Sequence, residues 1–172
     1  MNDLFSERIF WILIGAIILA IFTLSTQKNV RKSFTKTIVH IPEKLSFKGR
    51  LLSEINRVRK KHGLLQLGRT SFLDRVAAKH SRYQARKRQC NHDYFASRYE
   101  IIKSKTHSGY IGENCYMFSA KRYTRRVAVA LVKGWMKSKG HRENILNGRY
   151  RKTGIGIVVK SGYVYATQIF SD

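Results

Sequence analysis

The chain has 172 residues, 43% of them apolar, enough for one packed core of ordinary domain size, which argues against a disordered chain. Its 34 Lys and Arg against 10 Asp and Glu give a formal net charge of +24. That field favours polyanionic surroundings (nucleic acid, anionic lipid, an acidic envelope polymer) but does not choose among them. Two cysteines, Cys90 and Cys115, allow one disulfide and exclude both a disulfide scaffold and a four-cysteine zinc site.

Ile9–Leu24 (IFWILIGAIILAIFTL) carries no charge. A spanning helix needs about 20 residues, a length that Ser25 and Thr26 help to reach, and Trp11 suits an interfacial anchor. A cleavable signal peptide is the alternative. Its leading segment MNDLFSER is a poor fit, because Asp3 and Glu7 outweigh Arg8, and no small-x-small cleavage site follows Leu24. The reading is a single-pass anchor over residues 1–27. Residues 28–46 form a basic linker holding Lys28, Arg31, Lys32, Lys36 and Lys44, and Pro42 ends its short apolar stretch. Counted literally, these charges place the following domain in the cytoplasm.

Residues 47–172 read as one folded domain. Phe47, Leu51, Ile55, Val58 and His62 recur at helical spacing up to Gly63. Leu73, Ala77, His80 and Gln84 form a second stripe, with a cap candidate at Thr70–Ser71 and Asp74 in the first turn. Val127, Leu131 and Trp135 mark a third helix, and a helical turn fits His141–Leu146. The period then changes. Thr153–Lys160 and Tyr163–Phe170 are strand-like runs joined by Ser161–Gly162, a two-residue hairpin signal, and Asn114–Ser119 supplies a third strand. Helices first and a small antiparallel sheet afterwards define an α+β class.

Several segments together resemble the CAP superfamily (cysteine-rich secretory proteins, antigen 5, pathogenesis-related proteins) in its prokaryotic SCP-domain form. Asn56-Arg57-Val58-Arg59, followed by Gly63-Leu64 and Leu67, is similar to the N-x-x-R-x-x-x-G-L-x-x-L opening. Ala77-Ala78-Lys79-His80-Ser81 is similar to its A-A-x-H-S helix, and Cys90-Asn91-His92 to the element after it. Gly112-Glu113-Asn114 matches G-E-N, and Trp135–Leu146 follows the long W-M-x-S-x-G-H-R-x-N-I-L signature. Gly154-Ile155-Gly156 and the Tyr-rich last strand complete the order. The resemblance covers about Phe47–Phe170. It implies an α–β–α sandwich with helices on both faces of a three-stranded antiparallel sheet. It also implies a secreted or surface-exposed domain, against the charge rule.

The resemblance further implies a cleft lined by His92, Glu113 and His141, with Ser138 where many relatives carry a second acid. Two imidazoles and a carboxylate are a chemically sufficient set for a divalent metal such as zinc, water completing the shell. A metal in an open cleft activates water, so a metal-dependent hydrolase is one reading. The other is a closed polar network in which the histidines bond Glu113 and tie helices to the sheet. Ser138 reads as a cap for the helix carrying His141 rather than a nucleophile, since no orienting acid or oxyanion hole accompanies it. Asn144 reads as a backbone partner, His80 as a hydrogen-bonded core histidine and His62 as a helix C-terminal cap. If Glu113 and His92 converge, Cys90 and Cys115 come close as well. They then either bridge in an oxidising compartment, stay free or add soft ligands.

Three functions follow from these residues. The first is a membrane-anchored, extracytoplasmic module that binds lipid, envelope polymer or protein. The second is a metal-dependent hydrolase using the same cleft. The third is a cytoplasm-facing domain gripping polyanions by charge, nucleic acid included, although no nucleic-acid motif accompanies the basic clusters. The first is the reading adopted.

Overall fold

A computed structural model describes residues Glu43–Asp172, with side chains from Phe47 onward. The expected membrane segment Ile9–Leu24 and the linker up to Pro42 lie outside the described residues. Among the described residues, no helix is long and apolar enough to cross a membrane.

The elements run α1 (Glu43–Lys61), β1 (Gly68–Arg69), α2 (Ser71–Lys87), α3 (Phe95–Thr106), β2 (Ile111–Ser119), α4 (Arg125–Lys137), α5 (Lys139–Leu146), β3 (Lys152–Lys160) and β4 (Tyr163–Ser171). Helix α1 takes in Glu43–Ser46, which the sequence assigns to the linker. Thr70 caps α2 by accepting from the Leu73 amide at 3.2 Å, and Thr124 caps α4 from the Val127 amide at 3.2 Å. Two elements escape the sequence pattern. Helix α3 buries only Arg98 and Ile102, so it has no apolar stripe to betray it. Strand β1 is two exposed residues long.

The sheet corrects one expectation. Its strand order is β1-β3-β4-β2, four strands rather than three, and mixed rather than purely antiparallel. The three expected strands are antiparallel neighbours, while β1 lies parallel to β3. The segment after α1 is drawn there by side-chain bonds to the backbone. Asn56 donates to the Leu67 carbonyl at 3.1 Å and accepts from the Leu67 amide at 2.9 Å, presenting Gly68 to the Arg151 carbonyl. The β3–β4 hairpin closes through Ser161 (φ 49°) and Gly162 (φ 77°), the paired positive angles of the turn that matches strand twist.

Strand alternation sends residues to two separate cores. On one face Ile155, Ile157, Val164, Ala166 and Phe170 pack with Phe47, Leu51, Ile55, Leu131 and Trp135 of α1 and α4. On the other face Ile169 meets Leu73, Ala77 and Ile102. Gly154 and Gly156 lie on this second face, where a Cβ would run into the α2 backbone at Leu73–Asp74 and Ala77–Ala78. Their lack of a side chain lets α2 sit directly on β3. The result is the helix–sheet–helix layering that the resemblance implies.

Arg59 is fully buried (0% exposed), and among the described residues it forms no salt bridge. Its guanidinium donates to the carbonyls of Leu65 (2.8 Å), Ile145 (2.7 Å), Asn147 (2.9 Å) and Tyr150 (3.2 Å). One side chain thus joins the end of α1 to the end of α5 and the entry to β3. Arg59→Met is expected to cost about 3 kcal/mol in chemical denaturation, because several buried carbonyls lose a charged donor. Arg59→Lys is expected to recover little, since an ammonium cannot span four acceptors. A lysine variant as stable as wild type would refute that account.

Candidate functional site

The site is built on β2, the edge strand that meets both helical layers. Alternation turns Glu113 toward α2 and α3 and Asn114 toward α5. The two adjacent residues of the Gly-Glu-Asn motif therefore hold opposite sides of the sandwich. Asn114 donates to the His141 carbonyl at 3.0 Å and accepts from Asn144 at 2.9 Å; Asn144 also reaches the Glu113 carbonyl at 3.3 Å. This relay positions His141 beside the sheet edge.

Glu113 is buried and its carboxylate is heavily engaged. Arg98 of α3 grips both oxygens, Nε to Oε2 at 2.8 Å and Nη2 to Oε1 at 2.7 Å. His92, from the α2–α3 connection, places Nδ1 2.9 Å from Oε1. Because a carboxylate accepts, this nitrogen carries the proton, and among the described residues Nε2 of the half-exposed His92 ring has no hydrogen-bond partner. His80 Nε2 lies 3.8 Å from Oε1 while bonding the Asn91 carbonyl at 2.9 Å. Burial pushes the Glu113 pKa up, but the bonds from His92 and Arg98 and the Arg98 charge outweigh it and hold the carboxyl below its usual value. His80 is held below the usual histidine value mainly by burial. So is His141, with the neighbouring His92 adding to the effect.

The structure brings His92, Glu113, His141 and Asn144 together. The His92 and His141 rings stand 6.2 Å apart, centroid to centroid. Ser138 occupies the N-cap position of α5, where its carbonyl accepts the first helical bond from the Arg142 amide at 2.9 Å, but its hydroxyl makes no capping bond. Cys90 and Cys115 are free thiols, the first exposed and the second buried, so the allowed bridge is not formed. Cys115 instead turns inward, accepting from Gln84 at 3.1 Å and facing Glu113 at 3.5 Å; burial, with the Glu113 charge adding, drives its pKa far up. His62 bonds the Val58 carbonyl at 2.9 Å, a helix-end contact.

In the expected metal set, the surroundings of Glu113 differ from those of the two histidines. Arg98 already donates to both oxygens of Glu113, so a metal ligated there would share the carboxylate with a buried guanidinium. A dication there would also stand beside the Arg98 charge. His92, oriented by Glu113, presents Nε2, and His141 Nδ1 is buried without a hydrogen-bond partner among the described residues; these two nitrogens are of the type that could hold a metal. In that arrangement Glu113 orients a ligand rather than serving as one. Among the described residues, the His, Cys and carboxylate atoms clustered within 4.8 Å belong instead to His80, Glu113 and Cys115, all buried. Arg98 is the residue that sequence reasoning misses, because it sits on the unannounced helix α3 of a chain crowded with arginine.

Fold and site together define a CAP-type α+β domain. The family model described as "Cysteine-rich secretory protein family" matches residues 52–170, and the chain belongs to that family. It is 30% identical over 125 residues to the membrane protein YlbC of Bacillus subtilis, an alignment covering 70% of this chain and 33% of YlbC. An extracellular SCP-domain protein from Bacillus anthracis superposes with a TM-score of 0.56 at 26% identity, over 72% of this chain and 39% of that one. An outer surface protein from Borrelia burgdorferi shares the fold, with a TM-score of 0.63 at 21% identity, over 74% of this chain and 92% of that one. The chain spans between a third and about half the length of the curated relatives it matches.

Arg98→Met is expected to cost about 3–5 kcal/mol, since it strands a buried carboxylate, whereas Arg98→Met with Glu113→Leu is expected to recover much of that loss. Denaturant midpoints of the two variants test this; equal losses would refute the pairing. A pH series tests the histidines. His80 and His141 are held below 6.5, so their contribution is complete above that value and is lost as the pH falls through their folded values. The thermal midpoint should therefore fall from about pH 7 to about pH 5. Each extra proton taken up by the unfolded chain is worth up to about 1.4 kcal/mol per pH unit. His80→Gln should flatten the fall, and an unchanged slope would count against the buried neutral imidazole.

Proposed function

We propose that this chain is a membrane-anchored, extracytoplasmic CAP domain that works as a binding module for acidic ligands of the cell envelope. The observation that carries the reading is uncompensated positive charge. Among the described residues, carboxylate salt bridges engage only Lys48, Arg57, Arg69 and Arg98 of the Lys and Arg side chains, in a chain of net charge +24. The remaining cations form a broad field that concentrates polyanions near the surface. The apolar run Ile9–Leu24 supports the anchor. The extracytoplasmic side is supported by relatives described as a membrane protein and as an extracellular protein.

Within the cleft the carboxylate is committed to Arg98 and His92, which favours a positioning role for Glu113 over that of general base. Should a divalent metal bind, His92 and His141 would hold it, and it would supply Lewis acidity at the cleft mouth.

With its N-terminal anchor occupied in zwitterionic-lipid nanodiscs, the chain is expected to capture vesicles containing phosphatidylglycerol and to release them as salt rises from about 0.1 M to about 1 M, over which the Debye length contracts from about 10 Å to about 3 Å. Retention unchanged by salt would reject charge-driven binding. Protease treatment of intact cells tests the side of the membrane, and a protected domain would place it in the cytoplasm.

A further inference from the structure

The two cysteines of the chain, Cys90 and Cys115, lie on different elements and are brought to the same corner of the domain. The corner is made where α2 ends. Arg88 caps the helix in the left-handed region (φ 55°), and the chain doubles back along the helix it has just left. Two α2 side chains one turn apart hold the returning segment, His80 Nε2 at 2.9 Å and Gln84 Nε2 at 3.5 Å from the Asn91 carbonyl. The connection ends at Tyr94, also left-handed (φ 61°), whose ring stands edge-on to Tyr83 at 5.5 Å. Between these two reversals, residues 89–92 carry no regular structure.

Cys115 meets the same two α2 residues from the sheet side. It lies on β2, buried beneath the α2 layer. The amide that reaches the Asn91 carbonyl also reaches this sulfur, with Gln84 Nε2 3.1 Å from Cys115 Sγ. A ring nitrogen of His80 lies within 4.8 Å of it. The residues that hold the segment next to Cys90 are therefore the ones that line Cys115. Burial, and then the Glu113 charge, raise both thiols, and Cys90 adds to the effect on Cys115, so the two sulfurs are within electrostatic reach. Cys90 is exposed and makes no hydrogen bond among the described residues, so its side chain can turn without breaking one. One thiol is open to solution and its neighbour is closed in, the arrangement of an entry thiol backed by a resolving one.

We propose that Cys90 and Cys115 form a reversible redox pair whose bridge fastens the α2–α3 connection, and with it His92, onto β2. The structure holds the reduced state. In the first step the Cys90 thiolate attacks one sulfur of a small-molecule disulfide such as glutathione disulfide. A mixed disulfide forms and one thiol leaves. The Cys115 thiolate then attacks the Cys90 sulfur, forming the internal bridge as the mixed disulfide breaks and the second thiol leaves. Two protein thiols are oxidised, the incoming disulfide is reduced, and both protons end on the released thiols. Closure takes the Cys115 S–H away from Glu113, which keeps Arg98 and His92. Because Cys90 stands two residues before His92, the bridge acts on the cleft through the backbone. The inference goes beyond the envelope-binding reading and stands whichever ligand the domain takes.

The test uses the full chain in zwitterionic-lipid nanodiscs, equilibrated first with glutathione disulfide and then with dithiothreitol. Peptide mapping without reduction should show Cys90 and Cys115 linked with two hydrogens lost, and dithiothreitol should restore both thiols. Amide hydrogen exchange across residues 88–94 should slow by about tenfold or more in the oxidised chain, because the bridge suppresses local opening of the connection. Cys90→Ser, at an exposed position where folding is not at stake, should abolish both effects and leave the exchange pattern of the reduced chain unchanged. Cys115→Ala should trap Cys90 as its mixed disulfide with glutathione. A wild-type chain that stops at that mixed disulfide, with Cys115 still free, would overturn the proposal. So would a Cys90-linked dimer, or two thiols that resist oxidation. A bridge that forms without slowing exchange would overturn it as well, since nothing would then have been fastened.

Discussion

A carboxylate buried at a sheet edge is tolerable only when its charge is met, and the site depends on how Glu113 meets that demand. Desolvating a carboxylate costs several kcal/mol, and one donor rarely repays it. Here a forked guanidinium takes both oxygens and an imidazole takes one again. The arrangement fixes three separate pieces of chain at once: β2 through Glu113, α3 through Arg98 and the α2–α3 connection through His92. Its effect on the cleft is to turn a residue that invites a catalytic reading into one that orients its neighbours.

The same logic runs through the rest of the family signature. Asn56 and Arg59 look like functional polar residues in a helix motif, yet every bond they make among the described residues goes to backbone that has no strand or helix partner. Asn114 and Asn144 do the equivalent work on the far side of the sheet. A domain with a small sheet and several short connections has many unpaired carbonyls, and polar side chains at fixed places satisfy them. Much of the motif is therefore a wiring scheme for loops. The exposed His92 ring and the partly buried His141 are what it leaves available.

How far the sequence can be read follows from which forces leave a periodic trace. Helices α1, α2 and α4 bury apolar stripes, and β3–β4 announce themselves by β-rich runs and a Ser-Gly turn, so these are legible to within a few residues. Helix α3 is not. It rests on the protein through one isoleucine and one arginine, and a contact made by a single charged side chain has no period. Missing α3 means missing Arg98, and without Arg98 Glu113 reads as a free ligand. Strand β1 is invisible for a related reason, since a side chain distant in sequence pairs its flank and no preference of its own residues does so. The convergence of His92, Glu113 and His141 is reachable only through the family resemblance, because no local spacing unites a loop, a strand and a helix.

The left-handed tyrosine at the head of α3 carries one more implication. A glycine there would relieve roughly 1–2 kcal/mol of backbone strain, and folding alone would favour it. Tyr94 gives up that stability while presenting an aromatic ring to water, a second loss for the isolated domain. Such a position is a trade-off written into the backbone: the ring's edge-on contact with Tyr83 offsets part of the strain, and any further gain has to come from what the ring meets outside the fold.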